Sequence, residues 1–279
     1  MSLPPELVDY IVDMLYDDLA ALKACSSTCK SMLASSRRLI HQALHLTHRN
    51  NQSVLTQEEK LRHGRRGDHD IEFRFLFYMG ERGLLRYTKE VHIRDPDVFT
   101  PNTLLPHFHY FQSLDRVHTL AIEYYDAVLW ANHYMTCFSH FRPTLTSLTL
   151  SRPHTRHLSL WGFILQFPNL QNLCLEWLPN REGILLESTA PTALDKLPPL
   201  RGHLRLAFGA LSPWLVDFTR EIPTGVNFQS VELESNYFGD HVKHFLNACA
   251  HVLQYLTIAV PEPSTRRLIT LVGHGETID

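Results

Sequence analysis

The chain has 279 residues, of which 44% are hydrophobic and 20% charged, and its formal net charge is −3. This length allows one large domain or two smaller ones, and the charge argues against a strongly basic nucleic-acid surface. No apolar run approaches the ~20 residues of a membrane span, and the acidic N-terminal stretch lacks the basic region of a secretory signal. Five cysteines without framework spacing predict a reducing compartment, the cytoplasm or the nucleus.

The segment LPPELVDYIVDML at 3–15 predicts a short amphipathic helix. Proline is tolerated in the first helical turn, where its missing N–H would have no partner, and glutamate is favoured near the positive end of the helix dipole. One predicted face is apolar and comprises Leu7, Ile11, Met14 and Leu15. Asp9 and Asp13 lie on the other face, so we expect the exposed side of this helix to be acidic.

Two further helices are predicted before residue 48. Asp17 and Asp18 offer a break and an N-cap for the second helix, whose apolar stripe would comprise Leu19, Leu22, Cys25, Cys29 and Leu33. Ser35 or Ser36 would cap a third helix, with an apolar side made of Leu39, Ile40, Ala43 and Leu44. Because such a small unit buries little surface, we expect it to depend on a partner or an adjoining domain.

These ordered features resemble the F-box, in the form common in fungal F-box proteins. The matching residues are Leu3-Pro4, Glu6-Leu7, Ile11, Leu15, Asp18-Leu19 and Cys29-Lys30. Met32 stands where F-boxes often carry a tryptophan. The resemblance implies docking to a Skp-type adaptor and, through it, to a cullin-based ubiquitin ligase. The adaptor-binding residues that it implies are Leu3, Pro4, Glu6, Leu7, Ile11, Leu15, Leu19, Leu22 and Leu33. The alternative is an ordinary helical hairpin of another fold.

A polar stretch at 49–72 predicts a linker or exposed loop. Its basic part, KLRHGRR, could serve nuclear import or nucleic-acid binding, although a solvated loop is the simpler interpretation and is the one we adopt. Residues 73–88 are apolar and predict a helix that packs the linker onto the following domain.

From residue 89 onward the pattern apolar-x-x-apolar-x-apolar recurs. Clear copies are VHTLAI (117–122), LTSLTL (145–150), LQNLCL (170–175), FQSVEL (228–233) and LQYLTI (253–258), with KEVHI and HLRL less complete. The middle apolar residues are Val91, Leu120, Leu148, Leu173, Leu204, Val231 and Leu256, at intervals of 29, 28, 25, 31, 27 and 25. Leucine-rich repeats are about 20–29 residues long, each with a strand followed by a helix or turn. A conventional α/β sheet with strands of this length is the alternative.

The most complete repeat spans 228–258 and resembles the pattern LxxLxLxxNxL. Asn236 follows its strand, where an amide can satisfy backbone groups that the turn leaves unpaired. We therefore expect Asn236 to be buried in that turn.

The predicted fold is α/β, with an N-terminal helical F-box followed by an irregular leucine-rich-repeat-like α/β solenoid. The predicted domains are the F-box at 1–48, a linker and packing helix at 49–88, and the repeat domain at 89–279. Because strand side chains alternate between faces, residues beside the middle apolar position point away from the core. We assign substrate binding tentatively to His92, Thr119, Thr149, Asn172, Arg205, Glu232 and Tyr255.

By resemblance, the repeats would hold a protein target while the F-box holds the ligase. We therefore predict a non-catalytic substrate-recognition subunit, with no cofactor and no nucleic-acid or membrane partner. One alternative is an interaction scaffold that acts outside the ligase. A weaker alternative is a metal-dependent hydrolase, because the chain has 18 histidines and His107 and His109 have a metal-like spacing on a predicted strand. No third ligand follows at a recognisable offset, and the sequence contains no nucleophile elbow or phosphate-binding glycine loop.

Overall fold

The computed structural model describes residues 4–47, 76, 78–94, 108–123, 138–151, 162–176, 200–207, 226–234, 240–261 and 266–272. The helices are α1 (Pro5–Asp13), α2 (Leu19–Thr28), α3 (Lys30–Ile40), α4 (Phe108–Phe111) and α5 (Asp240–Cys249). The strands are β1 (Ala43–Thr47), β2 (Glu90–Arg94), β3 (Thr119–Glu123), β4 (Ser147–Ser151), β5 (Asn172–Glu176), β6 (Leu200–Ala207), β7 (Val226–Glu234), β8 (Tyr255–Pro261) and β9 (Arg266–Val272). Short 3-10 helices at Leu85–Tyr87 and Ser139–Phe141 precede β2 and β4.

The described strands form one sheet in which spatial order equals sequence order, from β1 to β9. Strands β1 to β8 are parallel to their neighbours, and β9 pairs with β8 in the antiparallel sense. Consecutive parallel strands need a crossover connection, because a tight hairpin reverses the chain direction. The protein is therefore a mixed α/β structure built on a parallel sheet of eight strands.

The register of this sheet confirms the alignment of the repeated sequence pattern. Each predicted middle residue pairs with the next one, so that they form a continuous line across the sheet from β2 to β8, namely Val91, Leu120, Leu148, Leu173, Leu204, Val231 and Leu256. Leu44 on β1 extends the line by one strand. All eight side chains are at most 5% exposed. A one-residue shift in the pairing of any strand would turn its apolar side chains to the opposite face of the sheet.

Backbone hydrogen bonds repeat along the entrance to the strands. The N–H groups of Lys89 and Glu90 both donate to the carbonyl oxygen of Gln42, at 2.8 and 3.1 Å. The same two-donor arrangement joins β2 to β3, β3 to β4 and β4 to β5, on the carbonyls of Lys89, His118 and Thr146. The entrances of β1 to β4 therefore satisfy backbone groups of the strand that follows, as buried polar backbone requires.

The segments that lead into the strands fill the core with aromatic rings. Phe138 contacts Phe111 and Phe163 edge-on, with ring centroids 6.0 and 6.2 Å apart, and Phe163 contacts Phe167 at 5.3 Å. These rings are at most 2% exposed and join connections that precede different strands. Within 73–88, residues 76 and 78–81 are α-helical and Leu76 is fully buried, but 82–83 form a turn and Leu85–Tyr87 a 3-10 helix, so the predicted packing helix is confirmed only in part.

The helical N-terminal unit agrees only in part with the sequence prediction. The Asp18 carboxylate accepts a hydrogen bond from the Ala21 N–H at 2.8 Å, which confirms the predicted N-cap of α2. Helix α2 ends at Thr28, and Cys29 is extended, so the proposed stripe through Cys29 and Leu33 does not lie on one helix.

The third helix begins earlier than predicted. Ser35 and Ser36 are buried inside α3 and do not cap it, because α3 already begins at Lys30. Ala43 and Leu44 belong to β1, so the sheet begins before the domain boundary predicted at residue 48. The loop predicted at 49–72, the basic stretch within it and Asn236 lie outside the described residues.

A glycine shapes the pairing of β6 with β7. Gly202 has φ +88°, and the register skips Gln229 because Gly202 pairs with Phe228 while His203 pairs with Ser230. A Cβ at Gly202 would lie 2.1 Å from the backbone oxygen of Gln171, which accepts the His203 N–H at 2.7 Å. Glycine is therefore required here by both its backbone angle and its close approach to β5.

We predict that Gly202→Ala lowers the free energy of unfolding by roughly 2–4 kcal/mol, from backbone strain and a clash with β5. Gly162→Ala is the matched control, since nothing lies within 4 Å of a Cβ there. The control should change stability by less than about 1 kcal/mol. Denaturant unfolding followed by circular dichroism measures both variants, and equal midpoints would contradict the role given to Gly202.

Candidate functional site

The most unusual surface of the described chain lies on α1 and the start of α2. Six large hydrophobic side chains are 41–73% exposed within 13 consecutive residues, and we call them the N-terminal patch: Leu7, Tyr10, Ile11, Met14, Tyr16 and Leu19. Elsewhere in the described residues, Tyr78 and Tyr255 are the exposed large hydrophobic side chains. Contiguous exposed apolar surface of this kind marks an interaction site in soluble proteins.

The patch is exposed because α1 has apolar residues on two sides. Val8 and Val12 are at most 4% exposed and form a small core with Leu22. Leu15, Met32, Leu39 and Ile40 are partly buried against that core. Because one side of α1 packs internally, its other side remains on the surface and carries Leu7, Tyr10, Ile11 and Met14.

Two polar contacts fix α1 on α3. The Ser35 hydroxyl donates to the Asp9 carboxylate, and Arg38 Nη2 lies 2.6 Å from Asp13 Oδ1. Asp9 and Asp13 are exposed, as predicted, but they lie beside α3 instead of on a side of α1 that faces only solvent. Their contacts set the rotation of α1 about its own axis and so determine which residues form the patch.

The residues implied by the F-box resemblance divide into surface and core. Pro4, Glu6, Leu7, Ile11 and Leu19 are exposed.

Leu15 and Leu33 are half-buried, and Leu3 lies outside the described residues. Leu22 is 1% exposed, so its side chain supports the helical unit from within and is not available for contact with a partner. Sequence reasoning missed the exposure of Tyr10 and Tyr16. Tyr10 follows Leu7 at the helical i, i+3 spacing, a signal that could have identified it.

The sheet face opposite the core forms a second candidate surface. The open face, as we call it, contains a proximal row just before the buried line, consisting of Ala43, Glu90, Thr119, Ser147, Asn172, His203, Ser230 and Tyr255. Just after the buried line runs a middle row, consisting of His45, His92, Ala121, Thr149, Cys174, Arg205, Glu232 and Thr257. All seven residues that the sequence assigned tentatively to substrate binding lie in these two rows and are half-buried or exposed.

A charged cluster occupies the open face at β5 to β7. Arg205 lies between two carboxylates, with Nε 3.4 Å from Glu232 Oε1 and Nη2 3.3 Å from Glu234 Oε2. On β5, Glu176 accepts a hydrogen bond from Ser151 at 2.8 Å. Glu234 is only 4% exposed, so its pairing with a guanidinium offsets the cost of burying its charge.

Two stacked histidines lie at the β1 and β2 end of the open face, beside the Glu90 side chain. His45 and His92 stack with ring centroids 4.6 Å apart, and His92 Nε2 lies 3.5 Å from Glu90 Oε2. Between this pair and the charged cluster, the middle row carries only Ala121 and Thr149. A partner could therefore approach the backbone of β3 and β4 more closely than that of their neighbours.

Cys174 lies next to Arg205 in the middle row, a position that sequence reasoning did not single out. Burial raises the pKa of its thiol to about 12, and the nearby Glu176 carboxylate acts in the same direction. The group is therefore protonated at neutral pH and is a poor nucleophile or metal ligand.

Nothing in the described geometry favours metal chemistry. The described residues contain no group of three or more His, Cys, Asp or Glu side chains arranged to hold a metal ion. His109 lies on α4, which corrects the strand predicted for it, and His107 is outside the described residues. None of the described helices combines the length and apolar character needed to traverse a bilayer.

The cysteines differ in predicted reactivity, which gives a direct check on the local geometry. The Ser31 hydroxyl and the Met32 N–H lower the pKa of exposed Cys29, whereas burial raises the pKa of Cys249 to about 12. Since the thiolate is the reactive form, we expect iodoacetamide at neutral pH to modify Cys29 well before Cys174 or Cys249.

Peptide mass spectrometry measures this order. Ser31→Ala should slow alkylation of Cys29 at neutral pH by removing the largest cause of its lowered pKa. Equal rates at Cys29 and Cys174 in the native protein would contradict these environments.

Comparisons with family models, with curated proteins and with solved structures find no match for this chain. What the protein does must therefore be inferred from its own two surfaces: the N-terminal patch on α1 and α2, and the open face of the sheet.

Proposed function

We propose that the chain is the substrate-recognition subunit of a Skp–cullin–F-box type ubiquitin ligase. In this proposal the N-terminal patch binds the Skp-type adaptor and the open face binds a protein target. The chain itself is not catalytic. The observation that carries the proposal is the exposed patch, because the side chains matched to the F-box pattern at Leu7, Ile11 and Leu19 all belong to it.

A partner for the patch is expected because α1 has apolar side chains on both its inner and its outer side. The inner side of α1, with Val8 and Val12, is sufficient to attach it to α2 and α3. The outer side leaves 41% of Ile11 and 66% of Met14 exposed to solvent. A groove that covers these side chains would remove apolar surface from water, which is the main driving force of protein association.

The sheet supports the second half of the proposal. Strand order equals sequence order in the described sheet, and crossovers of the usual right hand would all fall on one side of such a sheet. In a leucine-rich-repeat-like solenoid the other side is the strand surface, which is suited to a protein partner. The spacing of the buried line and its unbroken register favour this solenoid over a doubly wound sheet, which has helices on both faces.

The two surfaces are joined without a long connector. Only His41 and Gln42 separate α3 from β1. The Thr88 hydroxyl donates to the His41 carbonyl at 3.2 Å, and the Gln42 carbonyl accepts two N–H groups from the start of β2. A target on the open face would thus be held at a fixed position relative to the adaptor. A ubiquitin ligase requires such a fixed position to transfer ubiquitin to its target.

We predict that the double variant Ile11→Asp/Met14→Asp weakens adaptor binding by at least about 100-fold, since a charge in a desolvated interface costs several kcal/mol. Because both side chains are exposed in the free protein, the fold should survive. Val12→Ala is the contrasting variant: it should lower stability by roughly 1–3 kcal/mol and leave the patch intact.

Calorimetry with recombinant Skp-type adaptor, together with a thermal melt, measures both variants. Undiminished adaptor binding by the double variant would remove the F-box assignment. Adaptor binding without recruitment of a cullin would instead support the scaffold that acts outside the ligase.

We predict that adaptor and target binding can be separated by mutation. Thr149→Arg places a long charged side chain in the middle row between Ala121 and Cys174, and should remove target proteins while adaptor and cullin stay bound. Ile11→Asp/Met14→Asp should do the reverse. Asp115→Lys, at an exposed turn away from both surfaces, is the control.

Affinity purification and quantitative mass spectrometry of the four proteins measure this separation. Target candidates are proteins retained by the patch variant and lost with Thr149→Arg. If Thr149→Arg loses none of the proteins captured by the wild type, the open face is not the target surface.

A further inference from the structure

Carboxylates outnumber basic side chains around the N-terminal patch, where Lys23 follows Leu19 by one helical turn and Arg38 pairs with Asp13. Residues 4–22 contain five carboxylates and no lysine or arginine, namely Glu6, Asp9, Asp13, Asp17 and Asp18. Three of the five have partners within the helical unit: Asp9 with Ser35, Asp13 with Arg38, and Asp18 with the Ala21 N–H.

All five carboxylates of this acidic rim are exposed, and Glu6 and Asp17 are the two that lie outside these three contacts. Glu6 precedes Leu7 and lies one helical turn before Tyr10, a spacing that brings side chains together. Asp17 follows Tyr16 in the turn between α1 and α2, two residues before Leu19. Glu6 therefore lies near the start of α1, and Asp17 lies just beyond its end.

This charge pattern restricts what can cover the patch. A second copy of the chain would bring two acidic rims together around the apolar contact, and like charges placed opposite each other disfavour association. An anionic membrane surface is disfavoured for the same reason, since helices that lie on such membranes carry lysine and arginine beside their apolar face. The remaining occupant is a different protein whose apolar groove is bordered by positive charge.

We infer that the adaptor surface that receives the N-terminal patch carries lysine or arginine side chains at its rim, opposite Glu6 and Asp17, and that these charges accelerate the encounter. The inference rests on the proposed function and adds the chemistry of the partner to it. In this arrangement the apolar side chains supply most of the contact, while the rim charges govern association rate and orientation.

The test compares charge reversal at the rim with the same reversal elsewhere. Glu6→Lys/Asp17→Lys and the control Glu81→Lys/Asp115→Lys each raise the formal net charge from −3 by four units to +1. Glu81 and Asp115 are exposed and lie outside the helical unit. The pair therefore separates a local effect of the rim from an effect of overall charge, and circular dichroism establishes that both variants keep their helix content.

Association with recombinant Skp-type adaptor is followed by stopped-flow or surface plasmon resonance at low and high salt. For the wild type we expect the association rate constant to fall about tenfold between roughly 50 and 500 mM NaCl, as for steered encounters. The rim variant should associate about tenfold more slowly than the control at low salt and show little salt dependence. Glu6→Gln/Asp17→Asn, which cannot repel a basic rim, should lie between the wild type and the rim variant.

Three outcomes would overturn the inference. If the rim variant and the control associate at rates within about twofold of each other at low salt, the adaptor rim is not basic, and the proposed function stands. If the chain alone forms a dimer that Met14→Asp dissociates, the patch is a self-association surface. If the wild type fails to bind adaptor at any salt concentration, the proposed function is lost together with the inference.

Discussion

The register of the parallel sheet is the constraint on which the rest of the structure depends. Strands β1 to β8 each place an apolar side chain on the buried line. The entrances of β1 to β4 each offer a carbonyl to the next strand, as Gln42 does to β2 and Thr146 to β5. A strand that slipped by one residue would expose its apolar side chains and lose these bonds together. Because the repeats share this register, their lengths can vary between 25 and 31 residues without disturbing the sheet.

The helical unit depends on this sheet for its own position. Its core is small, with Val8, Val12 and Leu22 as the fully buried apolar side chains in the described residues. Such a core contributes little against a backbone entropy cost of about 1–2 kcal/mol per residue. The attachment of α3 to β1 through His41 and Gln42 adds stabilising contacts to this small core. The surface formed by α1 and α2 is therefore maintained by contacts at the C-terminal end of α3.

The register of β2 to β8 could be predicted from the sequence, whereas β1, β9 and the packing of the helical unit could not, and the reason is physical. In the repeats, apolar residues alternate with polar ones, so the buried side of Leu148 or Leu173 is unambiguous. Helix α1 has apolar residues on two sides, and periodicity alone cannot say whether Ile11 or Val12 faces the core. Ser35 and Ser36 were misassigned because serine favours N-caps in general, whereas here Ser35 is used inside a helix to bind Asp9. The buried side of α1 and the role of the serines in α3 both depend on tertiary contacts, which the local sequence does not encode.

The apolar area of the patch is too small to give strong binding alone, which accounts for the charges at its rim. Fully burying a large apolar side chain contributes about 1.5–3 kcal/mol, and the six patch residues are on average a little more than half exposed. Covering all of them would thus contribute roughly 5–10 kcal/mol, while association costs an estimated 4–15 kcal/mol in lost translational and rotational freedom. The two ranges nearly cancel, so apolar contact on this patch alone would give weak binding. Charges at the edge, such as Glu6 and Asp17, can add attraction without the desolvation penalty of a buried ion pair. They also suppress the self-association that an uncharged apolar surface of this size would favour.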